Sequence, residues 1–308
     1  MINIKIIGTG SYLPENIVTN EELAKTSPID PQWVKENLGI SQRHFVTTFG
    51  TSILATNAGI NALQSARISS EEIDLIIVAT ATPDFLSPST ACLVQKNLKA
   101  INAVAYDISA VCSGFLFGIL DAAQWIKSGK IQTALIIGAD SFSTITDWDS
   151  RNASFFGDGA GAVLIQASKE IHLRGYNINS DGTRWDYFTT KIGGKFTFKP
   201  KELYDFGCKV IPESITSALY YSNMNKEDIT HIIPHQASIK LLTKLCELCE
   251  VPISKLRTNM DRVANTAGAT IPILIDELNR NKKFNDGDVL LLTAMGSGMT
   301  WGSIVYVW

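Results

Sequence analysis

The sequence predicts an α/β protein made of two similar halves, and three observations carry that prediction. Continuous apolar runs of strand length, DLIIVAT at Asp74–Thr80 and TALIIG at Thr133–Gly138, are what strands buried on both faces of a parallel sheet require. Segments with apolar residues at helical spacing alternate with these runs, so helices should cover the sheet faces. The third observation is internal repetition. DLIIVATATP near residue 74 corresponds to ITHIIPHQAS near residue 229, and GDGAGAVLI at Gly157 corresponds to GSGMTWGSIVYVW at Gly296. Two such halves, divided at about residues 1–170 and 171–308, would set equivalent loops face to face around a shared site.

Taken in order, Ile2–Ile7 is expected to be a strand, followed by a turn at Gly8–Gly10 and Pro14. Asn20 with Glu22 resembles a helix cap, and Pro31 to Gly39 contains a second short helix. A longer helix is expected from about Ser52 to Ala66, where Leu54, Ala55, Ala58, Ile60 and Leu63 supply an apolar face. After the first buried strand come a helix at Thr90–Leu98, a strand at Ala103–Ile108, a helix running to Gly129 and the second buried strand. The segment from Lys169 to Lys201 is rich in Gly, Asn and Thr, has no clear period, and reads as a loop over a pocket. Beyond it, helices are expected at Leu203–Ser222, Ser238–Cys249 and Ile271–Asn279, with strands at Ile229–Ile233, Asp288–Thr293 and Ser303–Trp308.

Composition narrows the function. With 308 residues, 45% of them hydrophobic, the chain can bury a substantial core. A formal charge of −3 supplies no basic field for nucleic acid, so an acidic partner would have to be read by a local patch. Five irregularly spaced cysteines point to free thiols in a reducing compartment. The start, MINIKIIGTGSYLP, has no basic region followed by an apolar run, and no stretch approaches the ~20 apolar residues of a membrane span. A cytoplasmic protein without membrane association is expected.

Three loops carry candidate chemistry. Cys112 stands where a strand gives way to a helix whose Phe115, Leu116, Ile119 and Leu120 recur at helical spacing. There the unpaired N–H groups and positive end of the helix should favour thiolate over thiol. Ala110, Ser113 and Gly114 leave the sulfur approachable. His235 follows a buried strand in PHQAS, and Asn265 precedes a helix in NTAGAT. Singly, these read as a buried cysteine, a structural histidine and a helix cap. As a set, at loops that duplicated α/β halves bring together, they suggest a Cys–His–Asn constellation.

DISAVCSGF, FFGDGAGA, IIPHQAS, NTAGATIP and GSGMTWG, in that order along nearly the whole chain, resemble the beta-ketoacyl-acyl-carrier-protein synthase III family of thiolase-fold condensing enzymes. The resemblance implies a five-layer αβαβα thiolase fold and a homodimer. The activity it implies is a decarboxylating Claisen condensation of an acyl-CoA or acyl-ACP primer with malonyl-acyl carrier protein, in fatty acid or polyketide synthesis. It maps the catalytic residues onto Cys112, His235 and Asn265, and the oxyanion hole onto the backbone N–H groups of Cys112 and Ser297. Contacts to coenzyme A or the carrier protein map onto Trp33, Arg151, Ser238 and Lys240, and the acyl pocket onto Phe155, Phe156 and Met295. It implies no cofactor or metal beyond the thioester substrates.

The chain departs from the family pattern at the mouth of the site. Asn37 in WVKENLG stands where an arginine often helps clamp adenine, and Lys240 replaces an arginine used for carrier docking. Lys244 and Arg257 could extend a basic patch beside Lys240. Gly157–Ala162 and Gly296–Gly302 look like nucleotide-binding glycine loops, but the first runs into a strand and neither carries a phosphate-binding Lys. Cys246 and Cys249 form C-x-x-C within a helix without a second pair, which favours packing over zinc. Two other readings are weighed: a thiolase-fold acyltransferase that moves acyl groups without condensation, and a Cys–His–Asn hydrolase, whose local signature is missing around Cys112.

Overall fold

The computed structural model describes residues 3–48 and 50–308; Ile2, placed in the first strand above, lies outside them. The chain begins with β1 (Asn3–Tyr12), which is longer than expected. β2 (Ile17–Thr19) and β3 (Gln42–His44) pair around two short helices, α1 (Asn20–Leu23) and α2 (Pro31–Leu38). The cap of α1 is Thr19, not Asn20: its hydroxyl accepts from Glu22 N at 3.1 Å while the Glu22 carboxylate accepts from Thr19 N at 2.8 Å, a capping box. Asn20 is buried and donates to Ile40 O at 2.7 Å instead. In α2, Asp30 caps the N–H groups of Gln32 and Trp33, Pro31 occupies the first turn, and Gly39 ends the helix at φ +82°. These signals fix where Trp33 and Asn37 stand.

There follow α3 (Thr51–Ala66), β4 (Leu75–Ala79), α4 (Thr90–Leu98), β5 (Val104–Ile108), α5 (Gly114–Lys127), β6 (Thr133–Asp140) and β7 (Gly159–Ser168). Then come β8 (Leu173–Ser180) and a hairpin of β9 (Phe188–Thr190) and β10 (Phe196–Phe198). The chain closes with α6 (Pro200–Ser222), β11 (His231–Pro234), α7 (Ile239–Leu248), α8 (Met260–Val263), α9 (Thr270–Arg280), β12 (Val289–Gly296) and β13 (Thr300–Val307). The segment read as a loop at 169–201 thus contains β8 and the hairpin. β8 is the edge strand of its sheet and is mostly exposed, so it lacks the apolar run by which the buried strands are recognised.

The first sheet has the order β1-β7-β6-β4-β5 and the second β11-β12-β13-β8. In the first, β6, β4 and β5 are parallel while β7 and β1 run antiparallel to their neighbours. In the second, β11 and β12 are parallel and the other pairs antiparallel. The strands β8, β13, β12 and β11 therefore repeat β1, β7, β6 and β4, as the matching sequences suggest. The counterpart of β5 is reduced to one isolated parallel bridge between Ile232 and Leu256.

Three cores bind five layers. Leu75 and Ile77 of β4 face one core, shared with α5, α9 and the second sheet; Ile76 and Val78 face another, shared with α3 and α4. A third core packs α6 and α7 on the far face of the second sheet through Val210, Ile215, Leu242, Leu245 and Leu291. Each fully buried Leu, Ile or Val stabilises by about 1.5–3 kcal/mol. A one-residue slip of β4 would exchange its two faces, and residues of similar size on both make register depend on the neighbouring strands. The central helices α5 and α9 arrive from different halves, and their leading turns carry the candidate residues to one end of the molecule.

Candidate active site

The nucleophile candidate sits on a constrained turn. β5 ends at Ile108, and a 3-10 turn, Val111–Ser113, leads into α5. Val111 has φ +48°, a left-handed conformation costly for a β-branched residue and held only because its surroundings leave no alternative. Gly296, at the end of β12, is one such constraint: a Cβ there would stand 2.4 Å from Ala110 O and 3.0 Å from Cys112 N. Beside it, the Thr300 hydroxyl lies 3.2 Å from Ala110 O, 3.2 Å from Ser297 O and 2.8 Å from the Ser113 hydroxyl. Thr300 thus couples the Cys112 turn to the Ser297 turn, whose own side chain donates to Phe188 O at 2.6 Å.

His235 follows β11 directly, and its N–H donates to Thr293 O of β12 at 2.8 Å. The next residue, Gln236, is fully buried; its carboxamide bonds Asn259 Oδ1 at 2.9 Å and accepts from Asn259 N and Met260 N. This ties the histidine loop to α8, which leads into the Asn265 turn. Asn265 does not cap α9: residue 269 occupies that position without a side-chain hydrogen bond. Instead its Oδ1 accepts from Ala267 N at 2.8 Å, which leaves the amide nitrogen to point elsewhere. Its main chain pairs with the loop carrying Phe155–Gly157, with Gly157 N donating to Asn265 O at 3.0 Å.

Cys112, His235 and Asn265 line one cavity of about 340 Å³. Phe155, Phe156, Met295 and Ser297 line it too, with Trp33, Asn37, Ser238 and Lys240. Its charge state differs from the expectation of a thiolate. Burial and the nearby Asp140 carboxylate push the Cys112 thiol up, and its own backbone N–H only partly opposes them. The short 3-10 turn at the helix start does not overcome desolvation. Burial also holds His235 down, at about 4, against the pull of the Ala267 main chain. Its Nδ1 is buried with no hydrogen-bond partner among the described residues. At neutral pH the site therefore holds a thiol and a neutral imidazole.

At the mouth, the Arg151 guanidinium stacks 4.4 Å above the Trp33 ring. Lys240 donates to Asn37 Oδ1 at 2.5 Å, and Asn37 donates to Trp33 O at 2.8 Å. The two departures noted in the sequence are thus one feature: a cation from α7 reaches the position where α2 lacks one. The Ser238 hydroxyl accepts from Leu241 N and caps α7. Of the other basic residues, Lys244 is paired with Glu247 and Arg257 donates to His231 Nδ1 and Ser254 O, so neither extends a free patch beside Lys240.

One wall of the cavity is more aromatic than Phe155 and Phe156 alone make it. Phe188 and Phe198 from the β9–β10 hairpin join Phe155 and Phe156 in its wall. Behind them Phe142 stacks on Phe156 at 4.2 Å, and Phe196 packs edge-on at 5.0 Å. The signal was present as alternating Phe and Thr around a Gly-Gly pair, FTTKIGGKFTF, which is hairpin patterning.

Comparison with known proteins places this architecture. The chain matches the family profile described as 3-oxoacyl-[acyl-carrier-protein] synthase III over residues 106–182, and that family's C-terminal profile over residues 219–308. It is 38% identical to beta-ketoacyl-[acyl-carrier-protein] synthase III of Clostridium acetobutylicum, covering 100% of this chain and 99% of the relative. The chain belongs to the synthase III family. Among solved structures, 3-oxoacyl-[acyl-carrier-protein] synthase III of Aquifex aeolicus superposes with a TM-score of 0.97 at 37% identity, covering 99% of this chain and 100% of that one. The Pseudomonas aeruginosa synthase III gives 0.94 at 32% identity over 99% and 98%. The five-layer arrangement of duplicated halves is therefore the thiolase fold of synthase III. In this member no helix among the described residues is long and apolar enough to cross a membrane.

Proposed function

We propose that this synthase III condenses an acyl thioester primer with malonyl-acyl carrier protein, releasing carbon dioxide and forming 3-oxoacyl-acyl carrier protein through an acyl-Cys112 intermediate. The observation that carries this reading is the single cavity onto which Cys112, His235 and Asn265 converge from three separate loops. In the first step the Cys112 sulfur attacks the primer carbonyl. The tetrahedral oxyanion is met by the N–H groups of Cys112 and Ser297, whose turns Thr300 holds together. The bond to the carrier sulfur breaks, and the Cys112 proton leaves with that thiol. Neutral His235, which lines the same cavity, can relay it.

In the second step the thioester carbonyl of malonyl-acyl carrier protein accepts from His235 and from the Asn265 amide, whose oxygen is already occupied by Ala267 N. The carboxylate carbon departs as carbon dioxide, and the electrons of the broken bond form an enolate that the two donors stabilise. Its carbon attacks the acyl group, the bond to Cys112 Sγ breaks, and one proton from water restores the thiol. The high proton affinity of this thiol suits that return.

The mouth residues support carrier recognition. Stacked Trp33 and Arg151, with Lys240 beside Asn37, offer an aromatic face and cations to a nucleotide or phosphopantetheine phosphate. Two homologous halves, 1–170 and 171–308, fit the two sheets. A cytoplasmic homodimer completes the reading: among the described residues β5 leaves one edge of the first sheet unpaired, and Val104 on β5 and Ile101 just before it are exposed apolar residues.

The test is to offer a panel of acyl thioesters and read acyl mass on the peptide containing Cys112, while carbon dioxide release from malonyl-acyl carrier protein is followed separately. Acyl mass on Cys112 together with carbon dioxide release is expected. Acyl mass on Cys92, Cys208, Cys246 or Cys249 overturns the nucleophile. Acylation without carbon dioxide release would make the protein a simple acyltransferase.

A further inference from the structure

Asp140 ends β6 with its side chain fully buried, and among the described residues it makes no ion pair. One carboxylate oxygen accepts from the Thr80 hydroxyl at 3.2 Å, Ala81 N at 2.8 Å and the Thr82 hydroxyl at 3.0 Å, all just after β4. The other accepts from a single donor, Gly268 N at 2.9 Å, which comes from the other half of the chain. Gly268 lies in the turn Ala267–Ala269 that follows Asn265. In that turn Ala267 holds φ +48°, and its N–H fixes Asn265 Oδ1. A Cβ on Gly268 would stand 3.2 Å from both Asp140 Oδ2 and Val111 O, so the turn is pressed between the carboxylate and the nucleophile loop.

We propose that Asp140 is a positioning residue for the decarboxylation half of the reaction, its second oxygen holding the Gly268 turn so that the Asn265 amide stays aimed into the cavity. The inference rests on the roles assigned above to Cys112 and Asn265. A buried carboxylate without a cation is expensive, and hydrogen bonds from both halves are what make this one tolerable. An apolar residue would fill the space at lower cost, but it could not accept from Gly268. The carboxylate has a second consequence. Burial holds Asp140 up at about 6 against its four donors, so it is ionised at neutral pH and its charge raises the Cys112 thiol. His235, the other titratable group sharing the inner cavity, is neutral there, while Tyr204 and Lys240 line the cavity further along.

Asp140→Asn is the test, since the amide keeps one acceptor oxygen but presents N–H to Gly268 N. Misplacing a catalytic group by about 1 Å can cost a factor of about 100. The expected result is a fall of about 10- to 100-fold in carbon dioxide release, with Cys112 acylation within about threefold of the parent. The pH midpoint of Cys112 alkylation should also move down, because a negative charge is gone. Equal loss of both half-reactions, or unchanged decarboxylation in folded Asp140→Asn, overturns the proposal. Should that variant not fold, Gly268→Ala presses on the same contact from the other side. A lowered ratio of decarboxylation to acylation then supports the proposal, and an unchanged ratio overturns it. Asn265→Ala run in parallel separates the two levels: its normal decarboxylation would sink the role of Asn265 itself, whereas its impairment beside a normal Asp140→Asn would sink this inference alone.

Discussion

The Lys240 ammonium and the Asn37 carboxamide, 203 residues apart in the chain, are joined by a hydrogen bond of 2.5 Å at the mouth of the cavity. The sequence alone suggests that an arginine at position 37 would improve binding of coenzyme A thioesters. With Lys240 already there, a second cation would lose the Asn37 hydrogen bond and meet a like charge. Lys240→Ala is expected to raise KM for malonyl-acyl carrier protein about three- to tenfold at low ionic strength, less at high salt, with kcat nearly unchanged. Asn37→Arg alone should bring no gain, yet it should restore most of the loss in Lys240→Ala. A clear improvement from Asn37→Arg with Lys240 intact would show that the two positions act independently.

Thr300 links the two turns assigned to the oxyanion hole. Thr300→Val keeps the shape and removes the hydroxyl, so Ala110 O, Ser297 O and the Ser113 hydroxyl each lose a neighbour. A partly buried hydrogen bond of this kind contributes about 0.5–1.5 kcal/mol to stability. Burst measurements of Cys112 acylation should slow about 10- to 100-fold, less than the about 100- to 1,000-fold cost of removing an oxyanion-hole donor outright. Decarboxylation of malonyl-acyl carrier protein, which uses the other pair of donors, should be largely spared.

Removing the His235 ring has a consequence for acid stability that can be isolated from all other groups. Its native value of about 4 lies below the unfolded 6.5, mainly through burial, with the Ala267 main chain opposing. Between those values the unfolded chain binds the extra proton, so the contribution is intact above pH 6.5 and is lost as pH falls towards 4. Over that window the parent should lose about 3 kcal/mol relative to His235→Gln. Urea unfolding of both proteins at several pH values measures the difference. A constant gap would mean that the imidazole titrates normally. Comparing the pair cancels Asp140 and Asp158, whose raised values of about 6 act in the opposite direction.

The aromatic end of the cavity should set the length of the primer. Phe156→Ala removes a ring stacked on Phe142 and touching Phe188 and Phe196. The expected cost is about 3–5 kcal/mol of stability. In exchange, competition assays with a series of acyl thioesters should shift preference to primers longer by several carbons. Unaltered chain-length preference in a folded variant would place the acyl chain elsewhere.

Much of this protein is determined by its sequence directly. The apolar runs at β4 and β6 are buried on both faces and have the composition that such a position requires, and the caps at Asp30 and Gly39 state where α2 begins and ends. The pairing of DLIIVATATP with ITHIIPHQAS exposes the duplication, and with it the loops that bear Cys112, His235 and Asn265. These are local signals, each carried by a few adjacent residues. What escaped was non-local. β8 is polar because it borders a sheet, a position that exists only once β13 lies beside it. The protonation of Cys112 is set by burial and by Asp140, 28 residues away, more than by the helix start that the sequence shows. Lys240 compensates for Asn37 only because α7 packs across α2, and Asp140 reaches Gly268 only because the halves fold against each other. The sequence determined the buried strands and the helices with clear periods or caps. The tertiary structure decided which charges and donors meet, because those energies depend on distances and burial that no stretch of chain holds by itself.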